Sequence, residues 1–358
     1  MNSARGSLSW SPPVHGSRIG ASHRRRRIPC QDASLSRTLI SADGQPLFLM
    51  AVADGHGGTL HRLSHRGSQL ACQVAVEAAA RHFTHRQPWD PFAEGAMECL
   101  KRELIEELAL QIVNDWLNAV KADWQSRQGK AEVFSPYCYG TTLGLVMLTP
   151  RWWGHTGLGD WDLVLLDETG DVCFVSQEAG DDRQGEATAS LCLPEAQHRF
   201  AERSAVYALD DRDPKAFGLV LSTDGVRKSC ATDSDHLELV RYLMRLVNPD
   251  QDGRGGDISG ELEASLDRIT AEGSGDDVTV AMAWFGDPGG LHAPVSPAPP
   301  TAGSPSMRWQ PALLLAIALA GSWWCLRWGS ALFSQPRQLL PSRTDSPLPM
   351  SGSSADLR

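Results

Sequence analysis

The segment "MAVADGHGGTL" (Met50–Leu60) passes within a few residues from an apolar run into an aspartate, a histidine and three glycines. The apolar run Leu47–Asp54 has the length of a buried strand, and the glycines after it are typical of a turn. An Asp-Gly pair at a strand end is by itself most often only a turn, because Asp accepts backbone hydrogen bonds and Gly adopts positive φ. Whether Asp54 belongs to a site therefore depends on how the other strands end.

Other predicted strands also begin or end at carboxylates. Asp160 closes one apolar segment in "GLGD", Asp224 closes another in "LSTDG", and Asp276 with Asp277 opens a third in "DDVTVAMAWF". Carboxylates that converge raise each other's pKa, and a divalent cation relieves that repulsion. Oxygen ligation with no cysteine favours Mg²⁺ or Mn²⁺ over Zn²⁺. Two such ions can activate a water and hold a phosphoryl group for attack.

The pattern of apolar residues predicts an antiparallel α+β fold. Helical spacing covers Gly67–Phe83, Pro91–Trp124, Leu237–Val247 and Glu261–Thr270. Strand patterns lie mainly between the second and third of these helices, and Asp162–Ser176 has the turn letters of a hairpin. Because strands and helices are segregated along the chain, a layered antiparallel arrangement is favoured over a parallel doubly wound sheet.

Composition excludes some classes of protein. The chain has 358 residues, 42% of them apolar, which is enough for a full core. Its net charge of -10 argues against a nucleic-acid surface, which needs a clustered basic face. The eight cysteines are scattered without a CxxC pair, and no signal peptide is evident at the N-terminus. Reduced thiols in the cytosol are the simplest interpretation.

The C-terminal part differs from the rest of the chain. We predict a globular domain over 1–285, a Pro/Gly-rich linker over 286–306, a transmembrane helix over 307–333 and a disordered tail over 334–358. The helix is predicted from the uncharged run Trp309–Leu326, which is flanked by arginines. The alternative is a buried C-terminal helix. The first interpretation predicts a single-pass protein of the cell membrane with its N-terminal domain in the cytoplasm.

The order of motifs resembles the metal-dependent protein phosphatases of type 2C. The matching segments are "CQDA" (Cys30–Ala33), "VADGHGG" (Val52–Gly58), "YGTTL" (Tyr139–Leu143), "GLGDWDLVLL" (Gly157–Leu166), "LSTDGV" (Leu221–Val226) and "GSGDDVTV" (Gly273–Val280). The resemblance implies a four-layer α-β-β-α sandwich of two antiparallel sheets. It also implies hydrolysis of phosphoserine and phosphothreonine with Mn²⁺ or Mg²⁺.

The resemblance further implies roles for individual residues. Two ions would be held by Asp54, which bridges them, by the carbonyl of Gly55, and by Asp224 and Asp276. Asp160 corresponds to an aspartate associated with a third, weaker ion, and Asp32 keeps a further carboxylate that we include among the candidate metal ligands. His56 corresponds to the general acid. Arg27 is the expected phosphate-binding arginine, with Arg24–Arg26 as competitors.

Three positions depart from the family pattern. Gln31 lies where an acidic residue is common, Trp161 replaces a serine, and Asp277 replaces a common asparagine, which leaves open whether Asp276 or Asp277 points inward. We take Asp276 as the ligand. The expected partners are phosphorylated proteins, in particular a Ser/Thr kinase or its substrates. The alternative function is a catalytically weak or inactive, membrane-tethered domain that binds phosphoproteins or serves as a scaffold.

Overall fold

The computed structural model describes residues 8–42, 44–86, 90–127, 133–177, 188–209, 215–247 and 257–287. Its strands are β1 (Ser9–Trp10), β2 (Val14–Arg18), β3 (Ala33–Ile40), β4 (Pro46–Ala53), β5 (Leu143–Leu148), β6 (Trp152–Leu158), β7 (Asp162–Asp167), β8 (Val172–Ser176), β9 (Ala205–Ala208), β10 (Phe217–Ser222) and β11 (Val278–Gly286). Its helices are α1 (Ala21–Arg26), α2 (Ser64–His85), α3 (Ala96–Glu103), α4 (Ala109–Arg127), α5 (Ala196–Arg199), α6 (Asp224–Lys228), α7 (Asp233–Met244) and α8 (Ile258–Glu272).

The strands form two antiparallel sheets. In the first, the order is β1-β11-β10-β7-β8, and β2 also pairs with β11. In the second, the order is β3-β4-β5-β6-β9. The central strands are buried along almost their whole length, which explains why β4 and β11 appear in the sequence as nearly continuous apolar runs.

Three apolar layers hold the sheets and helices together. One layer lies between the sheets and includes Met50, Val146 and Leu221. A second joins the β3–β9 sheet to α2 and α4, and a third joins the β1–β11 sheet to α7 and α8. The result is the α-β-β-α sandwich. The predicted α+β class with two antiparallel sheets is therefore confirmed.

The predicted fold class also included a transmembrane helix, and this part of the prediction is wrong. Among the described residues, no helix is both long and apolar enough to cross a membrane. Residues 307–333, with most of the predicted linker and the whole predicted tail, lie outside the described ranges.

The long helix predicted over Pro91–Trp124 is divided. Helix α3 begins after Gly95, which has φ 73°, and a π-helical turn at Leu104–Leu108 separates α3 from α4. Leu104 and Leu108 are both fully buried on this turn. The predicted hairpin over Asp162–Ser176 is confirmed, since β7 and β8 pair antiparallel.

The topology brings the acidic strand ends to one edge of the sandwich. Asp54 follows β4, and Asp160 lies in the turn between β6 and β7. Asp224 begins α6 directly after β10, and Asp276 precedes β11. Because β10 pairs with both β7 and β11, the ends of these three strands are neighbours. The site therefore depends on pairings between distant segments of the chain.

Candidate metal centre

Three of the predicted ligands meet in one group. Asp54, Asp160 and Asp224 each offer a carboxylate oxygen, and these oxygens all lie within 4.8 Å of one another. All three residues are half-buried. Their separation is small enough for a single cation to contact all three side chains.

The carboxylates in this group destabilise one another's charged form. Withdrawal from water, followed by the charges of Asp32 and Asp224, raises the pKa of Asp54 well above its ordinary value. Burial and the charge of Asp160 raise the pKa of Asp224 to about 7. Burial and the charge of Asp277 raise the pKa of Asp32. A divalent cation would stabilise the ionised forms that the protein alone disfavours.

The backbone around Asp54 is held by two threonines. The Asp54 amide donates to Thr142 Oγ1 over 3.0 Å, and the Asp54 carbonyl accepts from Thr141 Oγ1 over 2.8 Å. Both threonines are buried. They belong to the motif "YGTTL", so this motif serves to fix the strand end that carries the carboxylate.

Gly55 is needed for its small size. A Cβ at this position would lie 2.7 Å from the carbonyl oxygen of Gln31 and 2.8 Å from the backbone of Ser64. The Gly55 amide donates to the Gln31 carbonyl over 3.1 Å. The turn after Asp54 is thus pressed against the start of α2, and a larger residue would displace it.

Gln31 supports the same turn with its side chain. Its Nε2 donates to the carbonyl oxygen of His56 over 3.1 Å and to Ser64 Oγ over 2.6 Å. An amide can make both bonds because Nε2 carries two donor hydrogens. This role of Gln31 in positioning was not predicted from the sequence.

The adjacent residues Asp276 and Asp277 lie in different environments. Asp277 is 3% exposed and accepts hydrogen bonds from the amides of Gly20 (2.5 Å) and Gln31 (2.6 Å). His23 Nδ1 lies 3.0 Å from Asp277 Oδ1. The side chain of Asp276 is 34% exposed and lies 3.2 Å from Lys228 Nζ. Asp277 therefore ties α1 and the "CQDA" segment to β11, whereas Asp276 Oδ1 accepts a hydrogen bond from the adjacent Asp277 amide over 3.0 Å.

Asp32 is buried behind the group. Its Oδ2 accepts a hydrogen bond from Thr223 Oγ1 over 2.7 Å, and only 5% of the residue is exposed. Thr223 immediately precedes Asp224. The contact therefore connects the β3 end of one sheet to the β10 end of the other, next to the ligand group.

Lys228 is a functional candidate that the sequence analysis missed. Its Nζ lies 2.7 Å from Asp224 Oδ2 and 3.2 Å from Asp276 Oδ2. Although burial acts in the opposite direction, the nearby carboxylates raise its pKa, so the amine stays charged. A lysine four residues after Asp224 on α6 is the only sequence signal that could have indicated this contact.

His56 faces His61 rather than a carboxylate. The two ring centroids are 5.1 Å apart, and His61 Nδ1 lies 2.6 Å from the carbonyl oxygen of Tyr137. Burial, with the charge of His61, lowers the pKa of His56 to about 4. The imidazole of His56 is accordingly neutral near pH 7 in the metal-free protein.

Arg27 lies at the end of α1 in the left-handed region, with φ 58° and ψ 34°. It is exposed, and within the described residues its side chain makes no hydrogen bond or ion pair. Two of its neighbours are engaged: Arg24 lies 3.4 Å from Asp267, and Arg26 Nε donates to the Ser22 carbonyl over 3.4 Å. Arg27 is thus available for an anion, and the structure does not bring it into contact with the three-carboxylate group.

The sequence model of the protein phosphatase 2C family matches residues 19–267. The match covers more than half of the chain and includes Asp32, Asp54, Asp160 and Asp224, but it ends before Asp276. The chain therefore belongs to the protein phosphatase 2C family. Membership of this family confirms the prediction that the chain is a metal-dependent serine/threonine protein phosphatase.

Three solved structures with a similar fold are compared with this chain as follows. The catalytic domain of the phosphatase PstP, in complex with two manganese ions, is 15% identical, with a TM-score of 0.47, 78% of this chain covered and 100% of that chain. A Streptococcus agalactiae serine/threonine phosphatase is 15% identical, with a TM-score of 0.47, 77% of this chain and 99% of that chain. RsbX in complex with magnesium is 12% identical, with a TM-score of 0.40, 78% of this chain and 99% of that chain.

These structural similarities are low, so membership of the family depends on the sequence match. Among curated proteins, no relative matches this chain.

Proposed function

We propose that this chain hydrolyses phosphoserine and phosphothreonine in proteins, with Mn²⁺ or Mg²⁺ bound by Asp54, Asp160 and Asp224. The observation that carries the proposal is the convergence of these three carboxylates from three separate strand ends within 4.8 Å. Membership of the protein phosphatase 2C family supports the reaction and the substrate class.

The donor set fits a hard divalent ion. The group consists of carboxylate oxygens, which Mn²⁺ and Mg²⁺ prefer, and no thiolate is part of it. The raised pKa values of Asp54 and Asp224 indicate a site that is short of positive charge. When bound, the ion supplies Lewis-acid activation of a water and neutralises charge on the phosphoryl group.

We further propose that the site would hold two ions and that Asp54 would be a ligand of both. The Gly55 carbonyl, Asp224 and Asp276 would complete the set. Asp160, which the resemblance assigns to a third, weaker ion, would here share an ion with Asp54 and Asp224, because the three carboxylates lie together. The proximity of Asp276 to Asp224, through Lys228, supports a place for Asp276 near the group. Asp32 would act through Thr223, because its own oxygen already accepts that hydroxyl.

The protein groups around the site would orient and protonate the substrate. The free guanidinium of Arg27 suits a phosphate dianion, which accepts two parallel hydrogen bonds. His56 would give a proton to the departing Ser or Thr oxygen. Because its pKa is lowered to about 4, His56 would have to gain its proton with the substrate, whose dianion favours the charged imidazole.

Loss of the general acid should depend on the leaving group. His56→Gln should slow cleavage of a phosphothreonine peptide far more than cleavage of p-nitrophenyl phosphate, because nitrophenolate leaves without a proton. Equal loss on both substrates would argue that His56 has another role.

The function itself is tested with the EDTA-treated full chain and a phosphothreonine peptide. Asp54→Ala and Asp224→Ala should each abolish Mn²⁺-dependent phosphate release while the circular dichroism spectrum stays that of the wild type. Glu106→Gln, which removes an exposed carboxylate on the π-helical turn, is the matched control. Retention of most activity by either Ala variant would refute the assignment.

The alternative is a phosphatase-like domain that binds phosphoproteins without turning them over. Gln31 favours it, because this amide adds no charge at a position where the family commonly has an acid. Binding of the phosphothreonine peptide without phosphate release, at saturating Mn²⁺, would support this alternative. As physiological partners we propose a Ser/Thr kinase or the proteins that such a kinase phosphorylates.

A further inference from the structure

Lys228 joins two carboxylates that come from different parts of the fold. Asp224 begins α6 and Lys228 ends it, so their side chains lie one turn apart on the same face. Asp276 belongs to the loop before β11. The Lys228 ammonium lies 2.7 Å from Asp224 Oδ2 and 3.2 Å from Asp276 Oδ2, so it bridges the two elements.

The same ammonium lies at the edge of the three-carboxylate group. Asp224 belongs both to that group and to the pair that Lys228 bridges. Its second oxygen, Oδ1, has no hydrogen-bond partner among the described residues. The positive charge of Lys228 is also felt at Asp54. The Asp224 carboxylate thus contacts the Lys228 ammonium and also belongs to the three-carboxylate group that would bind a divalent cation.

We propose that Lys228 competes with a divalent ion for Asp224 and Asp276. An ammonium bound to both carboxylates offsets one of their two negative charges and repels a second divalent ion placed between them. The ion at Asp54, Asp160 and Asp224 keeps its ligands, because Asp224 Oδ1 remains free. The chain as it stands then holds one ion tightly, and a second ion that needs Asp276 is bound more weakly than it would be without Lys228.

The inference rests on the proposed metal dependence and is tested by metal binding rather than by activity. The EDTA-treated full chain is titrated with MnCl₂ by calorimetry, and the wild type is compared with Lys228→Gln. We expect one tight site in the wild type, and in Lys228→Gln a second site tightened by at least about tenfold. Electron paramagnetic resonance should then show spin-coupled Mn²⁺ pairs in the variant at concentrations where the wild type shows isolated ions.

Two further variants separate charge at this position from charge in general. Lys228→Arg keeps a cation within reach of Asp224 and Asp276, so it should bind Mn²⁺ like the wild type. Lys121→Gln removes the same charge from an exposed position on α4, which packs against α2 rather than near the site. It should leave the titration unchanged.

The outcomes distinguish this inference from the proposed function. Two equally tight sites in the wild type, or identical titrations of the wild type and Lys228→Gln, would overturn the competition by Lys228 while leaving metal dependence intact. Absence of Mn²⁺ binding by both proteins would overturn the proposed metal site itself, and this inference with it.

Discussion

Gln31 donates its side-chain amide to the carbonyl oxygen of His56 across 3.1 Å. The two residues are far apart in sequence, and the bond connects the segment before β3 to the glycine-rich turn after β4. The turn carries both Asp54 and His56. The position at which the family commonly has an acidic residue is therefore used in this chain to hold the turn in place.

Replacement of Gln31 tests this positioning. Gln31→Ala removes both donors, so we expect a loss of about 1 kcal/mol in the free energy of unfolding. We also expect about tenfold lower phosphatase activity, because His56 loses its alignment. Urea denaturation and steady-state kinetics measure the two effects. Ser64→Ala removes only the second acceptor and should cost less of both; full activity in Gln31→Ala would show that the bond to His56 is dispensable.

Two glycines of the same turn should differ in their tolerance of alanine. A Cβ at Gly55 would press on the Gln31 carbonyl and the Ser64 backbone, whereas a Cβ at Gly57 would meet nothing within 4 Å. We expect Gly55→Ala to lower the free energy of unfolding by about 1–3 kcal/mol and to weaken Mn²⁺ binding. Gly57→Ala should keep wild-type stability in the same denaturation experiment. Similar behaviour of both variants would contradict the close packing at Gly55.

Substitutions at Asp276 and Asp277 should have different effects, one on metal binding and the other on the stability of the fold. Gly20 and Gln31 donate to different oxygens of Asp277. Asp277→Asn keeps only one oxygen and places an NH₂ donor against one of these two buried amides, so we expect a loss of about 3 kcal/mol in the free energy of unfolding. Asp276→Asn, at a half-exposed side chain, should change stability little and act mainly on the proposed second Mn²⁺ site. Chemical denaturation with EDTA, paired with a Mn²⁺ titration, measures both. The reverse pattern would exchange the roles of the two residues.

The metal-free protein should lose stability as pH rises from 6.5 to 8.5. Asp224 has a folded pKa raised to about 7, above its unfolded value, so the folded state resists ionisation and the penalty grows until the pH exceeds the folded pKa. We expect a loss of about 1 kcal/mol over this range in EDTA. Asp224→Asn should weaken the dependence and stabilise the metal-free fold, and the raised pKa values of Asp32 and Asp54 should account for part of what remains. A pH-independent stability in the wild type would contradict the mutual repulsion of these carboxylates.

A second, opposite pH dependence should come from a buried histidine. His236 is fully buried on α7, neither ring nitrogen has a hydrogen-bond partner among the described residues, and burial lowers its pKa to about 4. Below pH 6.5 the unfolded state binds a proton that the folded state excludes, so stability falls as pH decreases, by about 2 kcal/mol at pH 5.

His236→Phe should remove this loss. The ring packs beside Phe174, with centroids 5.5 Å apart, so an aromatic replacement keeps the contact. Denaturation at pH 7.5 and at pH 5 should show a larger gain for the variant at the lower pH. An equal change at both values would show that the histidine is not the group that titrates.

Local sequence patterns predicted much of the fold. Long apolar runs such as Leu47–Asp54 indicated buried strands, and the turn letters of Asp162–Ser176 indicated a hairpin. The motif order suggested the family, and the carboxylates at strand ends suggested the site. These features are local, because strand length, helical spacing and turn chemistry are properties of neighbouring residues. The division of Pro91–Trp124 at a π-helical turn was missed, because apolar residues at helical spacing (Leu100, Leu104, Leu108 and Ile112) continue through it without a break.

Tertiary structure alone decided which of these residues meet and what each one contacts. Asp276 and Asp277 are adjacent and chemically identical, and only the position of Gly20 and Gln31 beside them makes Asp277 the buried one. Lys228 became a candidate only when the loop before β11 brought Asp276 to its ammonium. Distances between segments far apart in the chain depend on how the two sheets pack, and no local pattern encodes them. The sequence by itself therefore determined the class of fold and the kind of chemistry. The packing of the sandwich determined which carboxylates lie together and which of them contact Lys228.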